Sequence, residues 1–140
     1  MKDEVLTFAR TLGAKDLKST LHNSEYRGLF KRRNYFLVDK DKFLIVKISR
    51  SKIRPFYGFG KAFFDLFNNL TEANGNYYFV ALESNRSGWV LSKHQIQNMV
   101  SNKSLSSSEK PREYKINNYN LKDQDYFTSI DGFLKKIVSK

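Results

Sequence analysis

The chain has no cysteine, which excludes disulfides and thiolate metal sites. No apolar run approaches the ~20 residues that a membrane-crossing helix needs. The opening stretch, MKDEVLTFARTLG, carries acids and has no uninterrupted apolar core, so it does not read as a signal peptide. These absences fit a cytoplasmic protein. Several familiar sites are missing as well. GFGK at 58–61 lacks the spacing and the following Ser/Thr of a phosphate-binding loop, and it falls in an apolar helical pattern. His22 and His94 lie far apart, with no cysteine to complete a metal site. His94 is expected to be exposed in the first turn of a helix. There is no Gly-x-Ser-x-Gly elbow, no internal repeat and no visible domain boundary, so residues 1–140 are expected to form a single domain.

Core-forming material is plentiful. The 140 residues are 40% hydrophobic and 15% aromatic, with 12 Phe and 8 Tyr, which is too rich for a disordered chain. Net charge is +11, and it is unevenly placed. Residues 26–64 hold eleven Lys and Arg against two acids, a net of +9, which leaves +2 for the rest of the chain. A positive field focused in this way attracts polyanions and steers their approach. The plain alternative is a solvated lysine-rich surface.

Hydrophobic periodicity gives the order of elements. Val5, Phe8, Ala9 and Leu12 mark a helix over 2–12, with Gly13 as its stop. A short helix is expected near 17–21. Apolar β-rich runs at 35–38 and 43–48, joined by DKDK, read as a hairpin, with 43–46 as a strand buried on both faces. Pro55 is read as opening a helix over 56–70, with Phe59, Phe63, Phe64, Phe67 and Leu70 on its apolar face. Asn74-Gly75 marks a turn, 77–82 a strand, 85–88 a turn and 89–91 a further strand. Ser92 and Gln95 have the spacing of a capping box for a helix over 93–101. The serine-rich stretch 101–112 is expected to be a flexible loop and 114–116 a short strand. Thr128 and Asp131 are read as the start of a last helix over 133–138. The expected class is α+β, a mixed central sheet flanked by helices in an α/β/α-like arrangement.

Alternation places Asp41, Phe43, Ile45 and Lys47 on one face of the second hairpin strand. An ammonium within an apolar strand is costly to bury without a partner, so Lys47 either marks the strand end and snorkels to water or has a chemical role. The tyrosines Tyr35, Tyr57, Tyr77 and Tyr78 read as core residues. Trp89, next to Gly88, is the aromatic expected to be partly exposed and free to stack on a base.

The run DKDKFLIVKISR, the helix after it, and then YYFVALES and SGWVL resemble, over about residues 35–137, the restriction-endonuclease-like superfamily with its PD…(D/E)xK motif. The pattern is also similar to that of archaeal Holliday-junction resolvases. The resemblance implies a hairpin that carries an Asp and then an acid-x-Lys pair, followed by a helix and further strands. Asp39 or Asp41 would match the first acid and Val46-Lys47 the x-Lys, but Ile45 stands where the second acid belongs. Magnesium takes hard oxygen ligands, which Ile cannot supply. A substitute would come from Asp65 or Glu25, and less readily from Glu83. Without one, phosphodiester hydrolysis fails.

The expectation is therefore a nucleic-acid-binding protein, with DNA as the first partner, on an endonuclease-like fold with a degenerate or rearranged centre. Lys31, Arg32, Arg33, Arg50, Lys52, Arg54 and Lys61 are its candidate phosphate contacts, and no cofactor is expected. One alternative is an active magnesium-dependent endonuclease or resolvase, with the metal on Asp39 or Asp41. Another is a small inhibitor or adaptor of a mobile element that meets a protein partner through its basic face. A homodimer is compatible with each.

Overall fold

Helix α1 (Asp3–Leu12) buries Val5, Phe8 and Ala9, the face that periodicity selects. It ends at Gly13, whose φ of 76° is open to glycine and strained for other residues. The computed structural model describes residues 3–17, 34–39, 41–49, 52–72, 75–109 and 112–139. The helix expected at 17–21 falls mostly outside the described residues. Two short segments near the start, β1 (Lys15–Asp16) and β2 (Tyr35–Val38), pair antiparallel. The expected hairpin follows: β2 pairs antiparallel with β3 (Lys42–Ile48), with Tyr35 opposite Ile45 and Val38 opposite Lys42. Asp39 takes a positive φ of 57° in the turn, a conformation that Asp tolerates better than most residues.

The next segment departs from the sequence reading. Residues 56–60 are not the first turns of a helix. They form strand β4 (Phe56–Gly60), and helix α2 (Lys61–Leu70) starts only after Gly60. The physical reason lies in FYGFG, which alternates with period two: Tyr57 and Phe59 are buried while Phe56 is exposed, and two glycines disfavour a helix. The GFGK stretch thus sits at a strand–helix junction and not inside a helix. Strand β5 (Asn76–Leu82) runs parallel to β3, and β6 (Gly88–Ser92) runs antiparallel to β5. Gly88 lies so close to β5 that a Cβ there would overlap the Ala81 carbonyl oxygen.

Helix α3 (Lys93–Ser101) has the capping box expected of it. The Ser92 hydroxyl accepts from the Gln95 N–H at 3.2 Å, and the Gln95 side chain accepts from the Ser92 N–H at 2.8 Å. Ser92→Ala is expected to cost about 1 kcal/mol of stability, read by urea denaturation. An unchanged midpoint would mean that the cap contributes nothing.

The serine-rich segment is also corrected. Residues Ser106–Glu109 form β7, which pairs antiparallel with β8 (Arg112–Asn117). With β4 they make a small second sheet in the order β4-β8-β7. The strand expected at 114–116 is the centre of β8. Helix α4 (Asn118–Leu121) and strand β9 (Asp125–Phe127) carry the chain to helix α5 (Ile130–Ser139). The first turn of α5 is capped by Ser129 and not by Thr128: the Ser129 hydroxyl accepts from the Gly132 N–H at 3.0 Å.

The main sheet is mixed, six strands in the order β1-β2-β3-β5-β6-β9. Alternation divides it into two apolar layers. Leu44, Val46, Tyr78, Val80 and Leu82 meet α1 and α5 through Phe8 and Phe133. On the opposite face, Ile45, Tyr77 and Phe79 meet Phe59 of β4, Phe67 of α2 and Ile96 of α3. The chain is therefore α+β with a mixed sheet covered on both faces. Among the described residues, no helix is long and apolar enough to cross a membrane.

Candidate functional site

Strands β3 and β5 are parallel neighbours, paired up to their last residues Ile48 and Leu82, and the chain separates beyond them. After Ile48 the chain leaves towards β4, whereas after Leu82 it turns through Glu83 and Ser87 into β6. Backbone separation of this kind opens the crevice in which α/β sheets commonly bind ligands. An open cleft of about 740 Å³ lies at this point. Its lining includes the buried Ser49, Tyr57 and Leu82 and the exposed Glu83.

Hydrogen bonds fix these walls. The Ser49 hydroxyl accepts from the Phe56 N–H at 3.1 Å and holds the start of β4 against the end of β3. The Tyr57 hydroxyl donates to the Leu82 carbonyl at 3.3 Å. Burial, and secondarily the Glu83 charge, raises the Tyr57 pKa, so the phenol keeps the proton it donates. Tyr126 donates to Glu83 Oε1, and that hydrogen bond first, with burial second, raises the Tyr126 pKa. Trp89, paired across the strands with Ala81 and Tyr126, sets its ring edge-on to Tyr126 at 4.9 Å and lines the cleft.

The exposed lining of the cleft carries an aromatic ring and two lysines beside Glu83. Tyr119, on α4, is 83% exposed, an unusual position for a large ring. Lys52 and Lys122 line the cleft as well, both exposed. Glu83 is the one acid on the cleft among the described residues. Next to Lys52 in the chain, Ile53 is 91% exposed, and Lys115 sits over the half-exposed Phe56 ring at 5.3 Å.

Lys47 lies one alternation step past Ile45 on the same strand, half-buried, with Nζ 5.5 Å from the centre of the Tyr35 ring. This is cation–π range, so the aromatic face supports the ammonium. Of the candidate acids that the structure describes, Glu83 is the nearest by register, two residues past Ala81, the residue of β5 paired with Lys47. Asp39 and Asp41 lie at the hairpin end of β3, where both ion-pair with Lys42 at 3.4 and 4.0 Å. Asp41 is six positions before Lys47 along the chain. In an extended strand that is about 20 Å, at ~3.3 Å per residue. Asp65 is exposed on α2, and Ile45 is only 2% exposed inside the apolar layer. Facing Val46 across the hairpin is Asn34, whose side-chain amide donates to the Val46 carbonyl at 3.3 Å. Among the described residues, no three His, Cys, Asp or Glu side chains are grouped as a metal site. The described donor set near Lys47 thus does not fit the magnesium site that the resemblance implies.

Of the candidate phosphate contacts, Lys52 and Arg54 are exposed between β3 and β4. Lys61 pairs with Glu109 at 3.1 Å, with its Nζ 5.3 Å from the centre of the Tyr114 ring. Glu25, Lys31, Arg32, Arg33 and Arg50 lie outside the described residues. Trp89 is half-buried and His94 exposed, whereas Tyr35, Tyr57, Tyr77 and Tyr78 are core. The sequence alone does not single out Ser49, Tyr119 or Lys122, and it ranks Glu83 last among the acids. The tyrosine within the polar run NNYN is the one signal it offers. Comparison with protein-family models, curated proteins and solved structures finds no match to this chain.

Proposed function

We propose that this is a cytoplasmic protein that binds nucleic acid, DNA in the first instance, on an endonuclease-like fold whose catalytic centre is degenerate. The observation that carries the reading is the cleft. An aromatic hollow flanked by Lys52 and Lys122 opens where the most basic segment of the chain leaves β3. Phosphates need cations at the rim, and bases need rings on which to stack. Apart from the inserted strand β4, the succession of hairpin, helix, parallel strand and antiparallel strand supports the resemblance to the endonuclease-like superfamily.

Degeneracy is supported by the positions of the acids. Ile45 occupies the acid position and is packed in the core, Asn34 bonds the neighbouring Val46 with an amide, and Asp39 and Asp41 lie at the other end of the strand. Magnesium bound through one or two carboxylates would find Glu83 alone at the cleft among the described residues.

The test is incubation of the purified protein with supercoiled plasmid and magnesium or manganese, followed by electrophoresis. The expected result is retarded plasmid at low salt with no nicking. Nicking that disappears in Lys47→Ala and Glu83→Gln variants would establish an active nuclease and overturn the degenerate reading. Plasmid that is neither retarded nor cut at low salt would overturn nucleic-acid binding itself.

A further inference from the structure

We propose that the cleft receives one unpaired nucleotide of the bound nucleic acid, with its base against Tyr119 and Trp89 and its flanking phosphates on Lys52 and Lys122. The inference rests on the nucleic-acid-binding reading and specifies what that site holds. The volume, about 740 Å³, lies within the range of small-ligand sites. A flat, solvated duplex surface has no use for a hollow of this size. A base within a stacked duplex cannot enter it, whereas an unpaired or extrahelical base can.

The chemistry of the lining decides which part of the nucleotide goes in. Glu83 is held by Tyr126 at one carboxylate oxygen and faces the cleft. A carboxylate repels phosphate but accepts from the N–H donors of a base edge. The phosphates therefore go to Lys52 and Lys122 and the base edge to the Glu83 carboxylate, all three exposed on the lining of the cleft. Tyr119 supplies the stacking surface. At 83% exposure its ring has little protein cover, and a solvated aromatic beside lysines is the arrangement that single-strand-binding sites use. Trp89, half-buried and set by its contact with Tyr126, lies in the wall that the base would reach.

Two readouts test this on the full-length protein. Binding of a labelled single-stranded oligonucleotide and of a blunt duplex of the same sequence is followed by fluorescence anisotropy. Trp89 emission is recorded in parallel, since the chain has one tryptophan and the signal reports on the cleft alone. The single strand is expected to quench Trp89, and the blunt duplex is not. Tyr119→Ala is expected to weaken single-strand binding by about tenfold or more and duplex binding by much less. Tyr119→Phe, which keeps the ring, is expected to bind as the parent does. Tyr119 is exposed, so these variants should leave the fold intact, and a circular dichroism melt verifies it. Parental single-strand affinity in Tyr119→Ala, an equal loss on both forms, or no quenching overturns the inference but leaves nucleic-acid binding standing. No binding of either form at low salt overturns both.

Discussion

Replacing Phe67 by alanine is expected to cost about 3–5 kcal/mol, a large share of the net stability of a domain of this size. Phe67 is fully buried on α2, the helix that covers the cleft-side face of the main sheet. Its ring lies 5.8 Å from that of Tyr35 and 5.9 Å from those of Phe43 and Tyr77, so it touches β2, β3 and β5 together. Alanine would leave a cavity bounded by three strands, which a small helix shift cannot close. Phe63 is half-buried and stacks on Tyr35 at 4.5 Å, and its truncation is expected to cost less. Urea denaturation of the two variants gives both values. A loss below about 1 kcal/mol for Phe67→Ala would mean that α2 is not held against the sheet, and the layered fold would be wrong.

What the sequence discloses, and what it conceals, follows from the range of each interaction. The helix through Val5, Phe8 and Ala9, the 35–48 hairpin and the Ser92–Gln95 capping box are local patterns, set by residues three to ten positions apart. Phe59 shows where locality fails. It fits the helical series Phe59, Phe63, Phe67 and also the alternating series Tyr57, Phe59. Pairing with Tyr114 of β8, far along the chain, decides for the strand. Ser106–Glu109 has loop composition and is strand only because β8 offers it a ladder.

The cleft is hidden for the same reason. Its lining comes from 49–57, 82–89 and 118–122, which no spacing motif connects. Asp39 and Asp41 illustrate the reverse error. Closeness in sequence to Lys47 suggests a shared site, yet an extended strand carries each added residue about 3.3 Å farther away.

The second large effect concerns charge. A Lys52→Glu, Arg54→Glu double variant is expected to lose on the order of a hundredfold in DNA affinity at low salt, because two phosphate contacts become two repulsions. Both side chains are exposed between β3 and β4, and the variant's thermal melt is compared with the parent's. An equal loss caused by unfolding would show in the thermal melt. Loss of binding in a folded variant assigns the contact to this segment.

Titration of DNA binding against salt is the decisive measurement. Each phosphate neutralised by Lys or Arg releases counterions, so log K falls with log salt at a slope of about −0.9 per contact. A basic segment engaged through Lys52, Arg54, Lys122 and their neighbours should give the parent a slope of about −4 or steeper, and the double variant a slope shallower by about two. A flat salt dependence, or a double variant whose slope and affinity match the parent, would contradict nucleic-acid binding through this face.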